Sequence, residues 1–300
     1  MKTVLERVEV SAYRVPTDCP ESDGTLEWSS TTMVLVEVSA GGQHGLGYSY
    51  ASPSCAVLIQ EKLVEVVRDA DCLDIAGIWN GMVSALRNLG RPGVCSMAIA
   101  AVDVALWDLK AKLLGLPLVK LLGQAQPAIP VYGSGGFTSY SIPKLQEQLG
   151  GWAAAGIPRV KMKIGRDPSE DVQRVKAARE AIGPKAELFV DANGAYACKQ
   201  ALAQAEQFQQ FGVVWFEEPV SSDDLAGLRT LRERAPAAMD ITAGEYGYDV
   251  FYFRRMLEAQ AVDVIQPDAP RCGGITGFLK IAALAEAFSI PISAHTAPSL

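Results

Sequence analysis

Six apolar runs in the second half of the chain each end in a residue suited to chemistry. They are Arg159-Val-Lys-Met-Lys163, Leu188-Phe-Val-Asp191, Trp215-Phe-Glu217, Ile241-Thr-Ala-Gly-Glu245, Val264-Ile-Gln-Pro-Asp268 and Ile292-Ser-Ala-His295. The intervals from Lys163 to His295 are 28, 26, 28, 23 and 27 residues. A strand, a loop, a helix and a return loop take about that many residues. Charged groups at the C-terminal ends of successive parallel barrel strands converge on one face, where the active sites of such barrels lie. Asp191, Glu217 and Glu245 end three consecutive runs, and carboxylates crowded together need a cation. An all-oxygen ligand set points to a hard metal, and a site with room for water and substrate suits Mg²⁺. Lys161 and Lys163 lie two apart and project to one side of their strand. Two such ammonium groups, beside a metal, lower each other's pKa, so one can act as a base. Asp268 and His295 end neighbouring strands, and the aspartate orients the imidazole and raises its basicity. The pattern is base, metal, base. A metal-bound carboxylate substrate would present its α-carbon between Lys163 and His295, and loss of the α-proton would give an enediolate that the metal stabilises.

The rest of the sequence limits what surrounds this set. With 49% hydrophobic and 20% charged residues over 300 positions, the chain is globular, with one large domain or two smaller ones. A net charge of −7 argues against a nucleic-acid partner, which would require a basic stripe. The start carries no signal-peptide core, and no uncharged apolar run reaches the roughly 18 residues of a membrane span. The longest candidate, Met97 to Trp107, contains Asp103 and reads as a buried helix. Cys19, Cys55, Cys72, Cys95, Cys198 and Cys272 form no CxxC pair and suggest no zinc module, so a reduced, cytoplasmic chain is expected. His44 falls in a glycine-rich turn and reads as a loop residue.

Strand-like segments at 6–14, 31–38 and 45–50, with a Gly41-Gly42 turn signal, predict a small antiparallel sheet. Between the first two runs a polar, turn-rich stretch, Thr17 to Trp28, which alone reads as a solvated surface loop. Helices are expected at 55–69, at 72–88 and around Ile99, Val102, Leu106, Leu109 and Leu113, which share one stripe. Gly115 and Pro117 end the third. Gln124 to Pro130 is the linker. From Val131 strands and helices alternate, giving seven strands, each apolar as expected when both faces are buried.

With those residues in place, the sequence resembles the enolase superfamily, and within it the mandelate racemase group, over nearly its whole length. The resemblance rests on Ala101-Val-Asp-Val-Ala-Leu-Trp-Asp-Leu-Lys110, Val160-Lys-Met-Lys-Ile-Gly165, Val190-Asp-Ala-Asn193, Trp215-Phe-Glu-Glu-Pro219, Ala243-Gly-Glu245, Gln266-Pro-Asp268 with Gly273-Gly274, and His295. It implies an α+β capping domain (1–124) over a modified (β/α)7β barrel (125–300). It implies Asp191, Glu217 and Glu245 as Mg²⁺ ligands, Lys163 and the His295–Asp268 dyad as acid/base groups, and Lys161 on the substrate carboxylate. Residues 17–28 become a lid. Trp28, Ser134 and Asn193 join Lys161 as expected substrate contacts; Ser134-Gly-Gly136 resembles sugar-diacid dehydratases. Strand alternation turns Glu218 to the other side from Glu217, where it would support the ligands from behind or start a helix.

Two departures from the family pattern matter. The family carries a further strand and a tail, whereas this sequence stops five residues after His295, so a truncated barrel is expected. The sixth strand ends in Asp268 where muconate-lactonizing and dipeptide-epimerizing members have a lysine, which sets those chemistries aside. The expectation is therefore an acid-sugar dehydratase giving a 2-keto-3-deoxy acid. A 2-hydroxy-acid racemase or epimerase is the alternative, and an inactive truncated homologue the third. The partner is a small carboxylate, and the resemblance implies a homo-oligomer.

Overall fold

A computed structural model describes residues 3–295. Strands β1 (Arg7–Ser22), β2 (Glu27–Ala40) and β3 (Gln43–Tyr50) form an antiparallel sheet in the order β1-β2-β3. Gly41 and Gly42 turn between β2 and β3 with φ of 54° and 74°. His44 lies on β3 rather than in that turn, and its Nδ1 meets Ser39 Oγ at 2.8 Å. Helices follow at 54–67 (with one π turn), Ile75–Ala85 and Val94–Leu113. The last lies directly on β3. A Cβ at Gly47 would collide with the Ala101 carbonyl, so glycine there sets how closely helix and sheet approach. Val34, Val36 and Val38 alternate inward to meet Ile99, Val102, Leu106 and Leu109 in one core.

The expected loop 17–28 is instead a continuation of β1 and β2 into a long hairpin, turning at 23–26. Its polar composition suggested solvent, but the hairpin tip is held by the second half of the chain. Thr138 N donates to the Ser22 carbonyl (2.8 Å), Thr138 Oγ1 to the Asp23 carbonyl (2.9 Å) and Ser139 Oγ to the Pro20 carbonyl (2.9 Å). Asp23 is spent on the turn itself, accepting from Thr25 N and Leu26 N.

The second half is a parallel sheet, β4 (Gly133–Gly135), β5 (Arg159–Lys163), β6 (Glu187–Asp191), β7 (Val213–Glu217), β8 (Asp240–Ala243) and β9 (Val264–Ile265), in sequence order. Among the described residues six strands form the ladder. The expected seventh is present as two parallel bridges, Ile265 to Ile292 and Asp268 to His295. Among the described residues no strand lies between that segment and β4. The helices Ile142–Ala154, Asp171–Ile182, Cys198–Gln209, Leu225–Arg234, Val250–Glu258 and Gly274–Ala287 alternate with the strands.

The strands have two different buried faces. Val160, Met162, Leu188, Val190, Phe216, Ile241 and Ile265 point outward into the helices, against Leu145, Val175, Phe208 and Leu231. Burying one such side chain stabilises the fold by roughly 1.5–3 kcal/mol. The alternate positions face the sheet's concave side, where Phe189, Trp215 and Val264 form a separate small cluster with Tyr132. Phe189 and Trp215 stack with ring centroids 5.0 Å apart. One step further along the strands, the same face carries charge. Among the described residues no helix is long and apolar enough to cross a membrane.

Candidate active site

The strand register builds the charged layer. Lys163 pairs with Asp191 and Asp191 with Glu217 across β5, β6 and β7, so the three side chains leave the sheet side by side. Glu217 pairs in turn with Thr242, and Glu245 follows three residues beyond it. One carboxylate oxygen from each of Asp191, Glu217 and Glu245 lies within 4.8 Å of the others, and all three residues are buried.

Each acid is paired with a basic side chain. Lys161, only 2% exposed, donates to Glu217 Oε1 at 2.5 Å and lies 3.4 Å from Asp191 Oδ2. Lys163 donates to Asp191 Oδ2, and to Asn193 Oδ1 at 2.9 Å. His295 Nε2 lies 3.0 Å from Glu245 Oε2, while its Nδ1 meets Asp268 Oδ2 at 2.7 Å. The structure thus brings Lys161, Lys163, Asp191, Asn193, Glu217, Glu245, Asp268 and His295 together. Ser134 pairs in register with Lys161. It shares the wall of a cavity of about 470 Å³ with Tyr132, Lys161, Lys163, Trp215 and His295. Trp28 stands apart from that wall. Its indole N–H donates to Glu21 Oε2 (2.9 Å) and its ring meets Phe137 edge-on. It holds the hairpin down on the loop after β4.

The sequence suggested that Lys161 and Lys163, beside a metal, depress each other, and Lys161 does act downward on Lys163. Burial does act downward on both, but the carboxylates win. Glu217, with Tyr132 and Asp191, holds Lys161 well above the ordinary lysine range, and Asp191 raises Lys163. Without a cation among the acids, both lysines stay charged. Burial likewise acts downward on His295, but Glu245 and Asp268 outweigh it and push the imidazole up to about 9. For Glu245 burial acts upward, yet His295, Lys163 and Arg271 hold the carboxyl well below the usual range.

Arg271 escaped the sequence reading, and the contacts of Gln266 and Glu218 were not legible in it. Arg271 donates from Nη1 to the Glu245 carbonyl (3.1 Å), and its backbone N–H donates to Asp268 Oδ1 (3.0 Å). It stitches the loop carrying Glu245 to the dyad, and its place three residues after Asp268 was the available signal. Gln266 donates to Glu217 Oε2 at 2.7 Å. It lies two residues before Asp268, on the same side of the strand. Glu218 follows β7 on irregular backbone. It takes a left-handed φ of 40°, which breaks the strand alternation just where β7 ends. Its carboxyl is buried within the field of Glu245, Asp191 and Glu217, and burial followed by those charges pushes it well above the usual range.

The sequence matches two family descriptions. Residues 7–123 match the mandelate racemase / muconate lactonizing enzyme N-terminal domain, and residues 144–300 the enolase C-terminal domain-like family. The chain is 36% identical to 3,6-anhydro-alpha-L-galactonate cycloisomerase of Streptomyces coelicolor, over 97% of this chain and 82% of the relative. It is 33% identical to L-talarate/galactarate dehydratase of Salmonella typhimurium, over 98% and 76%. Among solved structures, a mandelate racemase/muconate lactonizing enzyme-like protein from Rubrobacter xylanophilus superposes with a TM-score of 0.96 at 56% identity, covering 98% of this chain and 82% of that one. A racemase from Streptomyces coelicolor A3(2) with bound magnesium gives 0.93 at 34%, covering 97% and 83%. With both halves matched and a charged centre built from the strand ends that carry the family's motifs, the chain belongs to the mandelate racemase / muconate lactonizing enzyme family of the enolase superfamily.

Proposed function

We propose that the chain is a Mg²⁺-dependent enzyme that removes the α-proton of a carboxylate substrate, and that its reaction is the dehydration of a sugar acid to a 2-keto-3-deoxy acid. The observation that carries this reading is the placement of two bases at the two ends of one acidic cluster. Lys163 reaches it from β5 at Asp191, and His295 reaches it from the opposite end of the strand order at Glu245. A buried set of three oxygen donors within 4.8 Å fits Mg²⁺, and the magnesium-bound racemase supports the assignment. Asp191, Glu217 and Glu245 would hold the ion, which when bound would offset negative charge on the substrate as its α-proton leaves.

The protein's own groups divide the remaining work. Lys163 Nζ, steadied by Asn193, takes or returns a proton on one face of the α-carbon. His295 Nε2 serves the other, with Asp268 holding Nδ1 and so fixing the ring. His295 as the imidazolium gives its proton to the departing β-hydroxyl. Lys161 supplies positive charge to the substrate carboxylate, with Ser134 beside it on the cavity wall. Tyr132, Phe189 and Trp215 keep the floor of the site apolar. In this reading residues 1–124 cap a barrel built by residues 125–300, and the 17–28 hairpin closes over the site. The similarity to a sugar-diacid dehydratase favours dehydration.

The same two bases serve a racemase or epimerase, and the similarity to a racemase structure keeps that reading open. Incubation with Mg²⁺ and a panel of sugar acids in deuterated water separates the two. Dehydration yields a 2-keto product. Solvent deuterium at the α-carbon with no keto product overturns dehydration in favour of racemisation. Neither result with any acid in the panel would reject both and leave an inactive homologue.

A further inference from the structure

Outside the charged centre, the hairpin makes a second kind of contact with the barrel. Between Pro16 and Glu21 the β1–β2 register slips, so residues 17–20 bulge out opposite Ser29. The bulge carries Cys19 to the first turn of the helix Ile142–Ala154, where Lys144 Nζ lies 2.8 Å from Cys19 Sγ. The same ammonium sits 4.0 Å from the centroid of the Tyr140 ring. Cys19 and Lys144 both reach solvent. The other cysteines differ. Cys55, Cys72, Cys95 and Cys272 are buried, and the Cys198 sulfur faces the backbone carbonyl of Gly227 at 3.8 Å. Cys19 therefore combines access, a cationic donor and an amine within bonding approach.

We propose that Cys19 and Lys144 form a peroxide-dependent covalent strap that fastens the hairpin to the barrel. The Cys19 sulfur attacks one oxygen of hydrogen peroxide and the O–O bond breaks. The departing hydroxide takes up the thiol proton and leaves as water. The sulfur is oxidised by two electrons to sulfenic acid and the peroxide is reduced. Lys144, after its ammonium releases a proton to solvent, attacks that sulfur through its amine nitrogen. The S–O bond breaks, a second water leaves with one of the amine hydrogens, and an S–N bond remains. Sulfenic acids are known to condense with nitrogen in this way. A thiol reductant returns both side chains. The strap acts on the hairpin whatever reaction the site below it catalyses, so it does not depend on the proposed activity.

The test is peptide mapping of the whole chain after hydrogen peroxide and iodoacetamide. The expected result is a cross-linked pair of peptides holding Cys19 and Lys144, lighter than their sum by two hydrogens. Trypsin no longer cuts after Lys144, and dithiothreitol reverses the link. Amide exchange across residues 17–28 slows several-fold in the treated protein. Lys144→Arg keeps a cation on the sulfur but blocks the link, so peroxide leaves its hairpin exchange unchanged. Two outcomes overturn the proposal: Cys19 oxidised while Lys144 is still cleaved and alone, or Cys19 oxidised no faster than Cys198.

Discussion

Asp103, in the middle of the cap helix Val94–Leu113, accepts hydrogen bonds from the backbone N–H of Thr276 (2.9 Å) and from its hydroxyl (2.6 Å), in the first turn of the barrel helix Gly274–Ala287. The first turn of a helix has backbone N–H groups without intrahelical partners. Gly273, at the N-cap, has no side chain to satisfy them. The cap is supplied from the other half of the chain. Trp107 Nε1 donates to the same Thr276 hydroxyl at 2.9 Å, and Trp79 Nε1 donates to the Gly273 carbonyl at 2.8 Å. The helix so fixed follows directly on the loop that carries Asp268 and Arg271.

That aspartate makes stability depend on pH. Burial pushes the Asp103 carboxyl up to about 7 against the hydrogen bonds from Thr276, which act downward. The folded state therefore holds its proton more tightly than the unfolded chain, where an aspartate titrates near 3.9. The contribution is fully present below the unfolded value and is lost as pH rises through about 7. Its size is on the order of a few kcal/mol. Asp103→Asn keeps a carbonyl for the Thr276 N–H and cannot ionise. The fall in urea midpoint between about pH 4 and 7 should be shallower in the variant than in the parent. Parallel slopes would mean that other groups set the pH dependence.

Much of this arrangement was legible from spacing alone. The rungs from Lys163 to His295 fall where strand and helix alternate, because register and period fix which side chains share a face. What escaped depends on contacts distant in sequence or on unusual backbone. The hairpin at 17–28 reads as loop because its order comes from Thr138 and Ser139, more than a hundred residues away. Alternation assumes a regular strand, and the left-handed φ of Glu218 cannot be read from residue type. The charge on each lysine depends on the acids that press on it as well as on the other lysine, a balance that spacing alone does not give.

The hairpin tip gives a second prediction. A Cβ built at Gly24 would lie 2.8 Å from the Ile164 carbonyl and the Ala195 Cβ, and closer still to the Ala192 carbonyl. The tip is thus wedged onto the loops that follow Lys163 and Asp191. Gly24→Val should lift it away, while both hydrophobic cores stay intact. Limited proteolysis between residues 17 and 28 should speed up by about tenfold or more, which corresponds to roughly 1.4 kcal/mol of lost docking. The unfolding temperature should barely change. An unchanged cleavage rate would show that the wedge does not hold the tip.

Lys161 allows a test of the proposed metal that needs no substrate. It lies between Glu217 and Asp191, and removing one partner of a buried ion pair costs roughly 3–5 kcal/mol. Lys161→Met should therefore lower the unfolding temperature of the EDTA-treated protein by on the order of 10 °C. Mg²⁺ bound among the same acids supplies the missing positive charge, and at about a hundredfold excess over Kd it adds roughly 2.7 kcal/mol to any protein that binds it. The gap between variant and parent should narrow when Mg²⁺ is present. An equal gap with and without Mg²⁺ would separate the acids from the metal.

The two bases can be told apart by following a hydrogen. If each serves one face of the α-carbon, removing one should spare exchange at the other. Lys163→Ala loses the group on Asp191, and His295→Asn loses the group on Glu245 while keeping a polar side chain beside Asp268. Positioned acid–base groups contribute about 10²–10⁴-fold, so turnover should fall by that factor in each variant. With the two α-epimers of a sugar acid supplied separately in deuterated water, Lys163→Ala should still exchange the α-hydrogen of one epimer and His295→Asn that of the other. Mg²⁺ affinity, measured by calorimetry, should stay within about tenfold of the parent in both, because neither residue supplies a carboxylate. Loss of exchange for both epimers in one variant, with full retention in the other, would assign proton removal to a single base and reduce its opposite to a general acid.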